Sequence, residues 1–204
     1  LLKLFPAEPE IMGLLALMLL QHSRRQARFD TDGAIVLMDH QDRALWDKAM
    51  IGEALALVDK ALRHRTPGAY QIQAAIAALH ARAPTPEATD WRQIALLYRV
   101  LEGLQPSPVV TLNRAVAVAK LDGPAAALAI IEPLEEQLSN YFYFHGVRGG
   151  LLKQAGNTNA ARQAFDRAIA LANSPAEAAH IRTHLDQLQQ DAEKVGLFAP
   201  DLSD

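Results

Sequence analysis

The feature that most constrains this chain is its punctuation. Thr66-Pro67-Gly68, Ala83-Pro84-Thr85-Pro86, Pro106-Ser107-Pro108, Asp122-Gly123-Pro124 and Gly156-Asn157 cut it into short segments. Within the segments apolar residues recur at helical spacing, as in Leu45, Ala49, Ile51, Leu55, Val58 and Leu62. Proline and glycine clusters stop helices, so the segments read as separate helices joined by turns. The pattern predicts nine: 9–26, 44–63, 69–81, 91–104, 108–120, 124–138, 141–154, 159–172 and a last one from 175 to about 191, with a frayed tail from Lys194. Pro9 sits in a first turn, where its missing N–H costs nothing. Residues 27–42 are irregular, and Gly33 to Met38 reads as an extended piece with no partner strand. Aromatic residues make up 6% of the chain while alanine is abundant. That balance favours close-packed helices over a β-sandwich.

Shifting the sequence by 34 residues sets Ala115 on Gly149, Val118 on Leu152, Ala127 on Ala161, Ile131 on Phe165 and Leu134 on Ala168. Small residues recur where two helices must approach closely, and bulky ones where hairpins must interlock. The period is that of the tetratricopeptide repeat. An earlier, degenerate unit uses Ile94, Tyr98, Leu101 and Pro106. The expected fold is all-α: about nine helices in tetratricopeptide-like antiparallel hairpins, stacked as an α-α superhelix. Residues 1–68 form an N-terminal helical part with a polar loop. Residues 69–204 form the repeats with a capping C-terminal helix, within one continuous domain. Gln187, Gln189, Gln190 and Asp191 suit the water-facing side of that cap.

Charge and composition narrow the function classes. The net charge is −3 and no basic run exceeds two residues. Nucleic-acid-binding domains need a basic excess to neutralise phosphates, so direct DNA binding by this segment is not expected. No cysteine is present, which excludes disulfides and thiolate metal sites and fits a reducing cytoplasm. The most apolar run, Ile11 to Leu20, is too short for a bilayer, and its flanks lack a signal-peptide layout, so no membrane role is expected. The chain starts at Leu1, which points to a fragment of a longer protein.

No phosphate-binding loop, nucleophile elbow or zinc-peptidase motif occurs, so the reading is non-enzymatic, with no catalytic residue, metal or cofactor. Glu177, His180 and His184 share one helix face, but Ile181 follows His180 where a zinc peptidase needs glutamate. They read as the solvated side of a terminal helix. Three blocks are denser in chemistry. In Asp39-His40-Gln41-Asp42-Arg43-Ala44-Leu45-Trp46-Asp47, Asp42 is expected to cap the second helix, while Asp39 and Gln41 satisfy a loop backbone. Arg43 is expected to pair with Asp39 or Asp47, and Trp46 to anchor the loop on the first helix. A rigid loop of this kind also serves as a recognition site or inter-domain latch. In the second block Thr89 or Asp90 caps a helix and Trp91 packs in its first turn. The third, Tyr141-Phe142-Tyr143-Phe144-His145, reads as core on one side and half-exposed on the other.

The stretch Val36-Leu37-Met38-Asp39-His40-Gln41-Asp42-Arg43-Ala44-Leu45-Trp46-Asp47 resembles a signature of bacterial extracytoplasmic-function sigma factors that carry a long C-terminal extension of tetratricopeptide-like helices. Blocks 70–78, 89–94 and 107–117, the last containing Asn113 and Arg114, resemble the same family in the same order. The resemblance runs from about Glu8 to Leu188. It departs at His40, where the family's loop more often has an acidic residue. Such sigma factors bring RNA polymerase to promoters through regions two and four, which precede the extension and are absent from this sequence.

The resemblance implies a regulatory or protein-interaction domain acting in transcription initiation. Its partners would be the sigma regions, the polymerase or a protein regulator, and DNA would be met only through the missing N-terminal regions. The residues expected to form the partner-binding surface or latch are Asp39, Gln41, Asp42, Arg43, Trp46 and Asp47. Asp90, Trp91, Arg92, Asn113 and Arg114 are second candidates. The alternative is a free-standing tetratricopeptide-like scaffold that binds a peptide or protein. Such arrays also pair readily, which leaves a homodimer open.

Overall fold

The computed structural model describes the backbone of residues 7–197 and the side chains of residues 7–191. Among these residues the chain is all-helical, as the sequence predicts, with nine α-helices: α1 (Pro9–Ser23), α2 (Lys48–Leu62), α3 (Ala69–Arg82), α4 (Trp91–Leu104), α5 (Pro108–Asp122), α6 (Pro124–Ile131), α7 (Phe142–Gln154), α8 (Thr158–Ala170) and α9 (Pro175–Leu197). The last helix runs to Leu197, past the expected end near 191 and into the tail expected to fray from Lys194; residues 198–204 lie outside the described residues. Two compact units make up the chain, residues 1–121 and 122–204.

In the N-terminal unit α1 packs against both α2 and α3. The shared core is Ala16, Leu20, Ala54, Val58, Ala74 and Ala78. Four of the six are alanines, which lets helix axes come close. At Gly13 the approach is closer still, since a Cβ there would lie 2.6 Å from the backbone nitrogen of Gln71. A second core joins α3, α4 and α5 through Ile72, Ile76, Ile94, Leu101 and Ala117. The start of α3 has no side-chain cap of its own, because Gly68 occupies the cap position. Glu10 of α1 supplies it. Its carboxylate accepts hydrogen bonds from the Tyr70 and Gln71 backbone N–H groups, at 3.0 and 3.1 Å, and from Gln71 Nε2 at 3.1 Å. A carboxylate at a helix N-terminus meets both unsatisfied donors and the positive end of the dipole.

The structure corrects four further details of the sequence reading. First, α1 ends at Ser23 rather than near 26, and a 3-10 turn, Arg25–Ala27, follows. Ser23 is buried there, with its hydroxyl donating to the Leu20 carbonyl at 2.8 Å. Second, α2 begins at Lys48, and its cap is Asp47, whose carboxylate accepts from Met50 N at 3.0 Å. Asp42 instead caps a separate 3-10 turn, Arg43–Leu45, by accepting from Ala44 N at 2.8 Å. Two aspartates five residues apart can each start a turn, and spacing alone does not rank them. Third, the extended piece after Gly33 does find a partner, the chain immediately before it. Phe29 and Ile35 form an antiparallel bridge, and Asp30 Oδ1 holds the connecting turn by accepting from Asp32 N and Ala34 N. Fourth, α6 stops at Ile131 and not near 138. Pro133 has no N–H to continue the ladder, and its ring would clash with the Ala129 carbonyl, so a 3-10 turn, Glu132–Leu134, takes over.

In the C-terminal unit α7 packs along α8, and α8 along α9. Phe142, Ala161, Phe165, Ala168, Ile181 and Leu188 form the core. The small-against-bulky pattern is physical here: a Cβ on Gly149 would lie 2.5 Å from Phe165 Cδ1. The Phe165 ring therefore occupies the space a side chain at 149 would need. Asn157 caps α8 by accepting from Ala160 N. The aromatic run divides as expected. Phe142, Phe144 and His145 are buried, while Tyr143 is exposed. Gln187, Gln189, Gln190 and Asp191 of α9 face water.

Candidate functional site

The block at 39–47 folds into a fastened loop on the N-terminal unit. Arg43 makes neither of the carboxylate pairs expected of it. Its guanidinium donates to the carbonyls of His80 and Ala83, each at 2.7 Å. Those carbonyls end α3, where the last C=O groups lack helical partners and a cation meets the negative end of the dipole. The same guanidinium lies 4.6 Å from the ring centre of Trp46, and Arg24, the residue that follows α1, approaches that ring at 5.8 Å. Trp46 is 4% exposed. Its Nε1 and the Arg43 Nε are buried donors without an acceptor among the described residues. Gln41 is buried and donates to the Val36 carbonyl, holding the loop as expected. The Asp47 backbone N–H donates to the Ser23 carbonyl at 2.9 Å, tying the loop to the end of α1.

Asp39 pairs with Lys120 of α5 at 2.8 Å. The Lys120 ammonium lies 5.5 Å from the ring of Trp91, and Trp91 meets His80 edge-on at 5.2 Å. The structure thus brings Asp39, Arg43, Trp46 and Trp91 together with Arg24, His80 and Lys120, which the sequence reading did not single out. Arg24 was legible only as half of an Arg-Arg pair, and His80 only as an isolated histidine; the partners are 37 to 81 residues away. Three of the second candidates stand outside these contacts. Asp90 caps α4 by accepting from Gln93 N. Arg92 is exposed. Arg114 pairs with Glu102 at 2.9 Å, linking α5 to α4.

Behind the loop lies a cavity of about 390 Å³, within the N-terminal unit. Leu17, Leu20, Ile76, Leu101, Val109 and Val110 form its apolar wall. Gln21, Arg24, Gln73, His80, Tyr98 and Asn113 supply its polar groups. Burial, with help from Arg24 and Arg43 and against Asp39, holds the His80 ring down at a pKa of about 4. Burial, then the neighbouring Arg28 and Arg43, lowers Arg24 to about 10. At neutral pH Arg24 is charged and His80 is not. Burial also raises the Tyr98 phenol, which stays neutral. A more open groove of about 600 Å³ runs beside the loop, lined by Arg43, Trp46, Ile51, Leu55, Arg82 and Pro84.

One further surface stands out. Leu96, Val100 and Leu104 of α4 are 56%, 44% and 45% exposed. Their spacing of four puts them in one row along the helix.

Elsewhere, no group of three metal-ligating side chains occurs among the described residues. His184 stacks on the buried Phe165 ring at 5.4 Å, and His180 meets His184 edge-on at 5.0 Å. The Glu177 carboxylate accepts from Asn173 N and the Tyr143 hydroxyl. These three residues pack the C-terminal unit together more than a solvated face would.

An all-helical protein results, with a loop fastened at the end of α3 and a cavity lined by one arginine. Its first 62 residues, covering α1, the fastened loop and α2, match the family of unknown function DUF6596. An uncharacterized protein of Rhizobium meliloti (strain 1021) is 70% identical over 188 residues, which is 92% of this chain and 44% of that relative. The chain thus spans less than half the length of the curated relative it matches. No solved structure matches. No described helix is long and apolar enough to cross a membrane.

Proposed function

We propose that this chain is the C-terminal protein-interaction domain of an extracytoplasmic-function sigma factor, non-enzymatic and cytoplasmic, and that it acts in transcription initiation by docking on a protein. The observation that carries the docking role is the exposed row Leu96, Val100, Leu104 on α4. Contiguous exposed apolar side chains along a helix are the usual signature of a protein contact. The sigma-factor part is supported by the blocks around Asp39–Asp47, Trp91 and Asn113–Arg114. It is also supported by the length of the Rhizobium meliloti relative, which leaves room for polymerase-binding regions outside the matched stretch. In this reading the loop at 39–47 is a latch that fixes the N-terminal unit's surface, and the longer protein's regions two and four meet the DNA.

The test uses the longer gene product with purified RNA polymerase core and genomic template. Specific transcripts are expected with the wild-type protein. Leu96→Glu together with Leu104→Glu should lower their yield by at least about tenfold, while thermal unfolding moves by no more than a few degrees, since both side chains are exposed. A longer protein that yields no specific transcript with the core sinks the sigma-factor reading and favours a free-standing scaffold. Full transcription by the double variant removes α4 as the docking face.

A further inference from the structure

We propose that the cavity of the N-terminal unit is a binding site for a small amphiphilic organic anion, a carboxylate on an apolar body, with Arg24 as its counter-ion. This goes beyond the interaction role and does not depend on it.

The size fits. About 390 Å³ lies in the range of small-molecule sites, which combine apolar walls with a few placed polar groups. The charge gives the class. Of the residues lining the cavity, only Arg24, His80 and Tyr98 titrate, and no aspartate or glutamate is among them. Tyr98 and His80 are neutral at neutral pH, as argued above, so the lining carries one positive charge. That charge has no internal carboxylate to meet. The Arg24 guanidinium donates to the neutral Gln21 side chain at 2.6 Å, and no ion pair to it forms among the described residues. The charged groups around it add to the demand. Arg28 and Arg43 are both close enough to act on Arg24, while Asp39 of the latch is engaged by Lys120. A partly desolvated cation crowded by other arginines is costly to keep without a counter-ion, and an incoming carboxylate relieves that cost.

The apolar wall favours an organic anion over a bare inorganic one. Leu17, Leu20, Ile76, Leu101, Val109 and Val110 offer nothing to hydrate one, but they bury a hydrocarbon body. Gln73, Gln105 and Asn113 along the lining can hydrogen-bond a further polar substituent.

The experiment is calorimetric titration of the 204-residue chain with octanoate, octanol, octylammonium and inorganic phosphate. Octanoate should bind one to one, at least about tenfold more tightly than each of the other three, as a charge-assisted contact on an apolar body requires. Arg24→Gln should reduce octanoate affinity to that of octanol, whereas Arg24→Lys should retain part of the preference. Because Arg24 also approaches Trp46, Ala77→Met serves as a second variant. It leaves the charge in place, narrows the cavity and should weaken octanoate binding markedly, with helicity and thermal unfolding near wild type in both cases. The proposal is overturned if octanoate shows no saturable binding, if octanol or octylammonium binds equally well, or if folded Arg24→Gln and Ala77→Met variants bind octanoate like wild type. Phosphate binding as tightly as octanoate would overturn the amphiphilic class.

Discussion

The two units of the molecule are both helical, but different interactions fasten them. In the C-terminal unit α7, α8 and α9 meet through size complementarity: Gly149 against Phe165, with Ala161 and Ala168 keeping the helices close. The ion pairs Arg148–Glu135 and Lys153–Asp191 sit at its surface. The N-terminal unit has alanine-rich packing too, yet it adds polar ties that reach far along the chain. Glu10 caps α3 from 60 residues away, Arg43 closes the other end of α3, and Asp39 reaches Lys120. α3 is thus held at both ends by side chains from other elements. The difference separates a unit whose fold follows from packing from one whose polar groups also build a site.

The largest expected effect breaks the packing side of this comparison. Phe165→Ala should cost the C-terminal unit about 3–5 kcal/mol in urea unfolding, because its ring fills the space beside Gly149 and no neighbour can follow it inward. A loss below about 1 kcal/mol would mean that the hairpin does not depend on this interlock.

Next in size is a pH effect confined to the N-terminal unit. His80 has a folded pKa of about 4 against an ordinary 6.5, chiefly because it is buried, with Arg24 and Arg43 adding to the shift and Asp39 opposing it. The folded state therefore holds the neutral ring. Below pH 6.5 the unfolded chain takes a proton that the folded one refuses, so this contribution is complete above 6.5 and is lost as pH falls toward 4. The loss is on the order of 3 kcal/mol. His80→Gln should flatten the stability profile between those values relative to wild type. Equal slopes in both proteins would show that the ring is not held neutral.

These two effects differ in how far the sequence announces them. The 34-residue offset places Gly149 and Phe165 at matching small and bulky positions, because helix packing repeats with the chain. The Asp90 cap was equally legible, since a cap acts within three residues. The helix start at 44 is misplaced because Asp42 and Asp47 are both competent caps and only tertiary packing chooses between them. The cavity was not legible. Arg24 follows α1, His80 lies in α3 and Tyr98 in α4, and nothing in local spacing says that they converge. Arg43 misled for the same reason: local charge pointed to Asp39 or Asp47, while the fold sets the guanidinium against the carbonyls of His80 and Ala83, 37 and 40 residues away.

A smaller effect tests the polar ties directly. Glu10→Gln keeps the shape but turns a carboxylate facing three N–H donors into an amide that carries donors itself. The expected loss is about 1–3 kcal/mol. Amide hydrogen exchange should show it as faster exchange at the start of α3. If exchange there is unchanged, the cap is incidental and Gly13 packing alone seats α1 on α3.

The smallest effect distinguishes a latch from a brace. Asp39 and Lys120 are 38% and 45% exposed at the side chain, and exposed pairs contribute between nothing and about 1 kcal/mol. Asp39→Asn should therefore leave unfolding almost unmoved, and 1 M salt should reduce even that difference. Its consequence for function is the sharper readout. The pair ties the loop to α5, whose Val109, Val110 and Asn113 line the cavity. If the loop at 39–47 acts as a latch, Asp39→Asn should change transcript yield in the longer protein without a matching loss of stability. A variant that loses several kcal/mol, with yield falling only in proportion, would make the loop a structural brace and leave the α4 row to carry the docking alone.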